Sequence, residues 1–211
     1  MKILSLGLAL LMLASPAFAA TPATPAGSQV GAQVGQPAPD FKGMDSKGQT
    51  QTLSQYKGKI VVLEWSNPFC PYVGKHYDSR NMQNLQKEAL AEDVIWLTVV
   101  SSAEGKEGYM LAADAEKYMA AKGSAPTARI LDASGEIGRA YGAKTTPHMF
   151  VIDPSGTLVY AGAIDDNDSF KPETVATAKN YVREAIASIK SGKPLEISST
   201  KSYGCSVKYA Y

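Results

Sequence analysis

Residues 60–73 read IVVLEWSNPFCPYV, an apolar run that leads into a cysteine followed by a proline. The run over residues 60–65 is typical of a strand buried on both faces of a sheet. Pro71 suits the first turn of a helix, where a missing N–H costs no hydrogen bond. Cys70 therefore lies where a strand gives way to a helix, and backbone N–H groups there stabilise a thiolate. Because the thiolate is the reactive form of cysteine, this position predicts thiol chemistry.

Strand-like and helix-like patterns alternate on either side of this junction. A hairpin is expected before it, and four further strands after it. The expected strands cover residues 41–44, 49–53, 60–65, 94–100, 127–131, 148–153 and 158–163, and the expected helices cover residues 71–90, 109–121, 136–141 and 172–190. After Pro194 the tail shows no regular pattern. This order predicts an α/β fold with a mixed central sheet flanked by helices and an N-terminal β-hairpin extension.

The start of the chain has the pattern of a secretory signal peptide. A lysine, an apolar run too short to span a membrane and the cleavage-type triplet Ala17-Phe18-Ala19 follow one another. We expect a signal peptide over residues 1–19, a flexible linker over 20–34, and one domain with its C-terminal tail over 35–211. An uncleaved membrane anchor is the alternative. The pattern favours a periplasmic protein.

The charge balance and the cysteine content limit the classes of function that the sequence supports. Lys and Arg number 21 against 20 Asp and Glu, for a formal net charge of +1. This balance gives no support for nucleic-acid binding or for contact with a charged membrane surface after signal cleavage. The two cysteines, Cys70 and Cys205, could form a disulfide in an exported chain. From the residues alone the pair could be a redox couple, a structural clip or unpaired.

Several motifs resemble those of a known superfamily. The order of Cys70-Pro71 after a buried strand and Thr146-Pro147 before another resembles the thioredoxin fold. GRAYGAKTTP (138–147) and FVIDPSG (150–156) are similar to the redoxin branch, of the alkyl hydroperoxide reductase/thiol-specific antioxidant (AhpC/TSA) type. NPFCPYV around Cys70 and GCSVKY near the end resemble a peroxiredoxin-like subgroup. The resemblance covers about residues 35–190 and implies a cofactor-free thiol oxidoreductase with antioxidant activity.

The site departs from both family patterns. A thioredoxin site is Cys-x-x-Cys, but Val73 stands at the second cysteine position. A typical peroxiredoxin carries Pro-x-x-x-Thr/Ser-x-x-Cys, but Leu63 and Asn67 stand at the proline and hydroxyl positions. Ser66 is one residue away from that hydroxyl position. These departures make a peroxidase function less favoured. Cys205 is the one other cysteine of the chain and therefore the candidate for a resolving thiol.

Four residues are expected to form the substrate-binding part of the site. The resemblance implies a cis peptide bond at Pro147, which would set the backbone of Thr146 against the cysteine. That backbone could pair with a substrate strand. Pro71 begins the helix that follows the nucleophile, and Trp65 either walls the site or packs in the core.

Charged and titratable residues near the site allow two interpretations each. Glu64, inside an apolar strand, is either a proton acceptor with a raised pKa or a solvated carboxylate. Arg129 could lower the pKa of a thiolate and bind a peroxide oxygen, or lie at a strand edge as a surface charge. His76 and His148 could tune the thiolate or shuttle a proton, although packing or surface positions are favoured for both.

The sequence as a whole predicts a periplasmic thiol oxidoreductase. Cys70 attacks a protein disulfide or a hydroperoxide, Cys205 closes an intramolecular disulfide, and an external thiol reductant resets the pair. One alternative is a non-catalytic binding or structural protein locked by a Cys70–Cys205 disulfide. Another is a copper-handling module with His148 as the third ligand.

Overall fold

The computed structural model describes residues 31–210. The predicted signal peptide and most of the predicted linker lie outside the described residues. At the end of that linker, Ala32 and Val34 pack against the core. Within residues 31–210, no helix combines the length and the apolar character that crossing a membrane requires.

The described part of the chain contains short strands and helices in alternation. The strands are β1 (Lys42–Met44), β2 (Thr50–Thr52), β3 (Val61–Trp65), β4 (Ile95–Val100), β5 (Ala128–Leu131), β6 (Thr145–Thr146), β7 (His148–Ile152), β8 (Leu158–Gly162) and β9 (Cys205–Ser206). The helices are α1 (Pro71–Asp78), α2 (Asn81–Ala91), α3 (Ala112–Lys122), α4 (Glu136–Tyr141) and α5 (Tyr181–Ser191), with 3-10 turns at Ser54–Tyr56 and Pro172–Thr177.

A five-stranded mixed sheet forms the centre, with the strand order β5-β4-β3-β7-β8. β3 runs parallel to β4 and antiparallel to β7, so that Leu63 lies between Leu97 and Phe150. β1 and β2 form the separate N-terminal hairpin. The predicted α/β thioredoxin fold with a mixed sheet and a hairpin extension is confirmed.

Both faces of the sheet are buried because side chains along β3 alternate between two core clusters. Val62 packs with the residues of α1, α2 and α5. Val61, Leu63 and Trp65 pack on the opposite face with residues of α4 and the N-terminal segment. Each fully buried aliphatic side chain contributes roughly 1.5–3 kcal/mol to folding. This explains why the strand reads as a continuous apolar run.

The prediction of one helix over residues 71–90 is wrong, because the chain breaks between α1 and α2. Arg80 adopts a left-handed conformation, with φ 66° and ψ 5°. A residue in that region cannot continue a right-handed helix. The turn allows α2 to begin in a new direction at Asn81.

The long helix predicted over residues 172–190 is also divided. A 3-10 turn over Pro172–Thr177 comes first, and α5 begins only after Asn180. The side chain of Asn180 accepts a hydrogen bond from the backbone N–H of Arg183 at 2.9 Å, which is a standard helix cap. The predicted helix over residues 109–121 likewise starts later, at Ala112.

Candidate active site

Cys70 is the residue immediately before α1. Its backbone is extended, with φ −76° and ψ 122°, and its carbonyl accepts the N–H of Gly74 at 2.9 Å, which closes the first turn. The side chain is 1% exposed. Its thiol donates a hydrogen bond to the carbonyl oxygen of Thr146 at 3.0 Å. The nucleophile proposed from the sequence is therefore a buried thiol that touches the segment before Pro147.

The Thr146–Pro147 peptide bond is cis, as predicted. The sheet explains why this bond lies beside Cys70. β3 and β7 are antiparallel neighbours, and Trp65 at the end of β3 pairs with His148 at the start of β7. The loop that leaves β3 and the loop that enters β7 therefore emerge at the same edge of the sheet.

The C-terminal tail brings Cys205 to the same place. β9 pairs with β6 in antiparallel register, with Cys205 opposite Thr146 and Ser206 opposite Thr145. The hydroxyl of Thr146 also donates to the carbonyl of Cys205 at 3.4 Å. Both cysteines are free thiols. Thr146 thus contacts Cys70 through its carbonyl and Cys205 through its backbone and hydroxyl.

The two thiols interact electrostatically. The pKa of Cys205 is raised to about 12, first by burial, then by a hydrogen bond with the Cys70 side chain and by the negative charge of Cys70. Glu107 adds to this rise and Lys208 opposes it. Cys205 therefore keeps its proton at neutral pH. A protonated thiol beside Cys70 suits a residue that reacts second.

Asn67 shapes the loop before the nucleophile. Its side-chain oxygen accepts the N–H of Phe69 at 2.9 Å, and its backbone carbonyl accepts the N–H of Cys70 at 3.1 Å. Its amide also donates to Glu107 at 3.3 Å. The neighbouring Ser66 hydroxyl is buried without a hydrogen-bond partner among the described residues. Asn67 thus holds the loop turn where a peroxiredoxin places a hydroxyl.

Glu64 is fully buried, so the solvated position considered for it is wrong. Burial raises the pKa of its carboxyl, against the effects of its hydrogen-bond donors and of the Arg129 charge. Four side chains donate to this carboxyl, at 2.8 to 3.2 Å: Tyr77, Gln86, Trp96 and Thr98. Cys70 does not belong to this set. The carboxylate therefore organises the contact between α1, α2 and the sheet.

Arg129 is 1% exposed, which contradicts a strand-edge surface charge. The sheet register places it in one row with Thr98 and Glu64. Its guanidinium lies 5.4 Å from the ring centroid of Tyr118, and its nitrogens have no hydrogen-bond partner among the described residues. Its positive charge lowers the pKa of Glu64, so it acts on the buried carboxylate.

Trp65 and His148 lie among aromatic side chains. Trp65 donates to the Ser101 hydroxyl at 3.0 Å and packs its ring 5.1 Å from Phe150. His148 stacks 4.4 Å from the same Phe150, and its Nδ1 accepts the N–H of Lys144 at 3.2 Å. Burial lowers the pKa of His148 to about 4, with a smaller effect from Lys144. These contacts favour packing roles.

No group of three or more His, Cys, Asp or Glu side chains within residues 31–210 is arranged to hold a metal ion. The copper ligand set considered from the sequence joined Cys70, Cys205 and His148. The structure brings the two cysteines together and leaves His148 in its aromatic packing.

Comparisons with known proteins agree with this fold. The Redoxin family model matches residues 33–181, which is more than half of the chain. The chain belongs to the Redoxin family. No curated protein matches it.

Solved structures share the fold of this Redoxin protein at low identity. A hypothetical protein from Sinorhizobium meliloti 1021 is 20% identical, with a TM-score of 0.70, and the match covers 87% of this chain and 96% of that one. An uncharacterized conserved protein from Geobacillus kaustophilus is 22% identical, with a TM-score of 0.74 and coverages of 84% and 93%. A candidate thiol:disulfide interchange protein DsbE from Chlorobium tepidum is 25% identical, with a TM-score of 0.50 and coverages of 62% and 84%.

The Redoxin protein also contains a buried polar cluster that the sequence did not reveal, which we call the Tyr203 anchor. It consists of Lys75 and His76 on α1, Asp165 after β8, and Tyr203 on the tail. Lys75 Nζ lies 3.2 Å from Asp165 Oδ2 and donates to the carbonyl of Asn167 at 2.5 Å. Tyr203 donates its hydroxyl to Asp165 and lies 3.2 Å from His76 Nε2. No local pattern marks this cluster, because its members come from three distant segments.

Proposed function

We propose that this Redoxin protein is an exported thiol–disulfide oxidoreductase in which Cys70 is the nucleophile and Cys205 the resolving cysteine. The observation that carries the proposal is the meeting of two free thiols at Thr146. Since Val73 stands where a thioredoxin carries its second cysteine, the tail supplies the second thiol instead.

The proposed cycle exchanges two thiols for one disulfide. The Cys70 thiolate attacks a substrate disulfide, forms a mixed disulfide and releases one substrate thiolate. Cys205 loses its proton to solvent and attacks the Cys70 sulfur, and the second substrate thiolate leaves. The protein is then oxidised by two electrons and the substrate is reduced to two thiols. An external thiol reductant then reduces the disulfide between Cys70 and Cys205 to two thiols.

Two observations support a disulfide over a hydroperoxide as substrate. Asn67 uses its side chain to hold the loop before Cys70 and offers no hydroxyl at the peroxiredoxin position. The Chlorobium tepidum protein, whose fold this chain shares, is itself a candidate thiol:disulfide interchange protein. A protein disulfide and an external thiol reductant are the partners that this reaction requires.

The proposal is tested by mixing the reduced protein with glutathione disulfide and following its mass. We expect wild type to lose two hydrogens as the intramolecular disulfide forms. Cys205→Ser should stop at the Cys70–glutathione mixed disulfide. Cys70→Ser should react roughly a hundredfold more slowly, because burial, the largest cause of the raised pKa of Cys205, remains in this variant.

Other outcomes of the same experiment identify the competing functions. A Cys70–Cys205 bond that resists dithiothreitol in the folded protein would mean a structural lock. Saturable hydrogen peroxide consumption that needs Cys70, without exchange with disulfides, would mean a peroxidase. Copper that copurifies with the protein and is lost in Cys70→Ser would mean a metal-handling module.

We further propose that the protein is periplasmic after cleavage of residues 1–19 or 1–20, as the sequence predicts. Expression in a bacterial host followed by N-terminal sequencing of the exported protein tests this. The expected first residue is Ala20 or Thr21, and an intact Met1 on the exported protein would contradict it.

A further inference from the structure

Helix α1 connects Cys70 with the Tyr203 anchor. Cys70 immediately precedes α1, and Lys75 and His76 follow on the same helix about one and a half turns later. Tyr203 reaches this pair from the tail, two residues before Cys205. The position of Cys205 relative to Cys70 is therefore set through α1.

The hydrogen bonds of the Tyr203 anchor run in one direction. Asn81 Nδ2 lies 2.9 Å from His76 Nδ1, and an amide nitrogen can only donate. His76 therefore carries its proton on Nε2 and donates it to the Tyr203 hydroxyl, which donates in turn to Asp165. Lys75 balances the carboxylate and lies 5.3 Å from the centroid of the Tyr203 ring. Asp165 Oδ2 accepts no hydrogen bond among the described residues, but its ion pair with Lys75 and the ordered donors of the other members favour one arrangement of the network.

Tyr203 joins the tail to α1 through the hydrogen-bond contacts of its hydroxyl and through its ring, which lies 5.9 Å from the ring of Tyr72. β9 pairs with β6 over only two residues. Clefts of about 830 and 700 Å³ lie along the tail and are both lined by residues 200–202. Beyond Cys205, the tail is held by two backbone hydrogen bonds, from Val207 to Lys144 at 3.0 Å and from Ala103 to Lys208 at 2.9 Å, and by Tyr209, whose hydroxyl donates to the Ala143 carbonyl at 2.8 Å. The ring of Tyr209 lies 4.6 Å from the guanidinium of Arg139 on α4, so this second fastening does not involve α1.

We infer that Tyr203 is a positioning residue for the resolving step, because its hydroxyl fixes Cys205 against Cys70 through α1. This inference rests on the proposed function. In the step itself, the Cys205 sulfur bonds to Cys70 Sγ, the bond from Cys70 to the substrate sulfur breaks, and the substrate leaves as a thiolate. The proton of Cys205 goes to solvent. Tyr203 takes no part in these bond changes and acts only through the place of Cys205.

The test compares Tyr203→Phe with the matched variant Tyr209→Phe in the full mature chain. Each change removes one hydrogen-bonded hydroxyl of a half-buried tyrosine from the tail and keeps the ring. The first quantity is the equilibrium between the Cys70–Cys205 disulfide and glutathione redox buffers, which gives the effective concentration of Cys205 at Cys70. We expect Tyr203→Phe to lower it roughly tenfold, since a hydrogen bond to a charged group is lost. Tyr209→Phe should change it by less than about threefold.

A second quantity separates positioning from general loosening of the site. The rate of Cys70 alkylation by iodoacetamide, measured in a Cys205→Ser background so that the contact between the two thiols plays no part, should change by less than about twofold when Tyr203→Phe is added. The Cys70–glutathione mixed disulfide should live roughly tenfold longer, because Cys205 attacks it less often. Circular dichroism checks that both variants are folded.

Several outcomes overturn the inference. One is an effective concentration of Cys205 that Tyr203→Phe leaves unchanged. Another is an effective concentration that falls equally in Tyr203→Phe and in Tyr209→Phe. A third is a Cys70 alkylation rate that falls or rises together with the effective concentration in Tyr203→Phe. If Tyr203→Phe does not fold, Asn81→Ala removes the bond that orients His76, and an unchanged effective concentration there also overturns it. A wild-type protein that forms no Cys70–Cys205 disulfide with glutathione disulfide, together with a Cys205→Ser variant that forms no mixed disulfide at Cys70, refutes the proposed function instead. A wild type that cycles normally, with no effect of Tyr203→Phe, refutes this inference alone.

Discussion

Cys70 and Cys205 both contact Thr146, but their surroundings differ. The Cys70 thiol donates to the Thr146 carbonyl at the start of a helix. Cys205 lies across the backbone of Thr146, where burial and the neighbouring Cys70 raise its pKa to about 12. The two thiols therefore lie in different environments, although both carry the same functional group.

The buried imidazole of His148 makes the stability of the protein depend on pH. Its pKa is about 4 in the folded protein, below the ordinary value near 6.5, because burial opposes the charged ring. Between pH 6.5 and 4 the unfolded chain binds a proton that the folded chain does not bind. Stability due to His148 is therefore present above pH 6.5 and is lost as the pH falls through this window. The expected loss is about 2 kcal/mol between pH 7 and pH 5.

Urea unfolding of wild type and His148→Asn at the two pH values measures this effect. We expect the free energy of unfolding of His148→Asn to fall less than that of wild type between pH 7 and pH 5, by about 2 kcal/mol. The buried His76, whose pKa is lowered to about 3, keeps its own contribution in both proteins. An identical fall in both proteins would mean that His148 is protonated in the folded state.

At the scale of elements, β9 depends on a close approach of two backbones. Gly204 has φ 126°, and a Cβ added there would lie 2.1 Å from the carbonyl oxygen of Thr146. That distance is shorter than any contact that a real Cβ makes. An alanine at this position therefore cannot keep β9 paired with β6.

We expect Gly204→Ala to move Cys205 away from Cys70 and out of its half-buried position. Burial, the largest cause of its raised pKa, is then weakened, so its thiolate fraction rises. Alkylation of Cys205 at pH 7, measured in a Cys70→Ser background to isolate it, should be at least roughly tenfold faster than in Cys70→Ser alone.

Gly192→Ala is the matched control, because Gly192 also has a positive φ, 65°, and nothing lies within 4 Å of its added Cβ. It should cost stability, by about 1 kcal/mol, without changing the reactivity of Cys205. Equal alkylation rates in the two glycine variants would show that the packing of Gly204 does not hold β9.

At the scale of the whole molecule, the sheet order decides which segments can meet. β3 and β7 are neighbours although many residues separate them, so the loops bearing Cys70 and Thr146 share one edge. The tail then returns over this edge and adds Cys205, which lies about 135 residues after Cys70 in the chain. Lys75 and Asp165 pair in the buried space beneath it. The candidate site is thus made of three segments joined only by the fold.

The helices and strands that could be predicted are those marked by a pattern of residues that are neighbours in the sequence. The apolar run of β3 and the proline of α1 located Cys70 within one residue of a helix start. The break at Arg80 could not be predicted, because a left-handed arginine has no sequence signature comparable to glycine. The pattern of the tail predicts no strand at β9, because a two-residue strand exists only through its partner at Thr145 and Thr146.

Local chemistry was sufficient to place Cys70 between a strand and a helix and to exclude a second cysteine at Val73. These properties depend on neighbouring residues along the chain, and periodicity, proline geometry and spacing report them directly. The burial of Glu64 and Arg129, and the position of Cys205 opposite Thr146, are decided only in the folded chain. Burial and long-range hydrogen bonds depend on which distant segments pack together, and that information is distributed over the whole sequence.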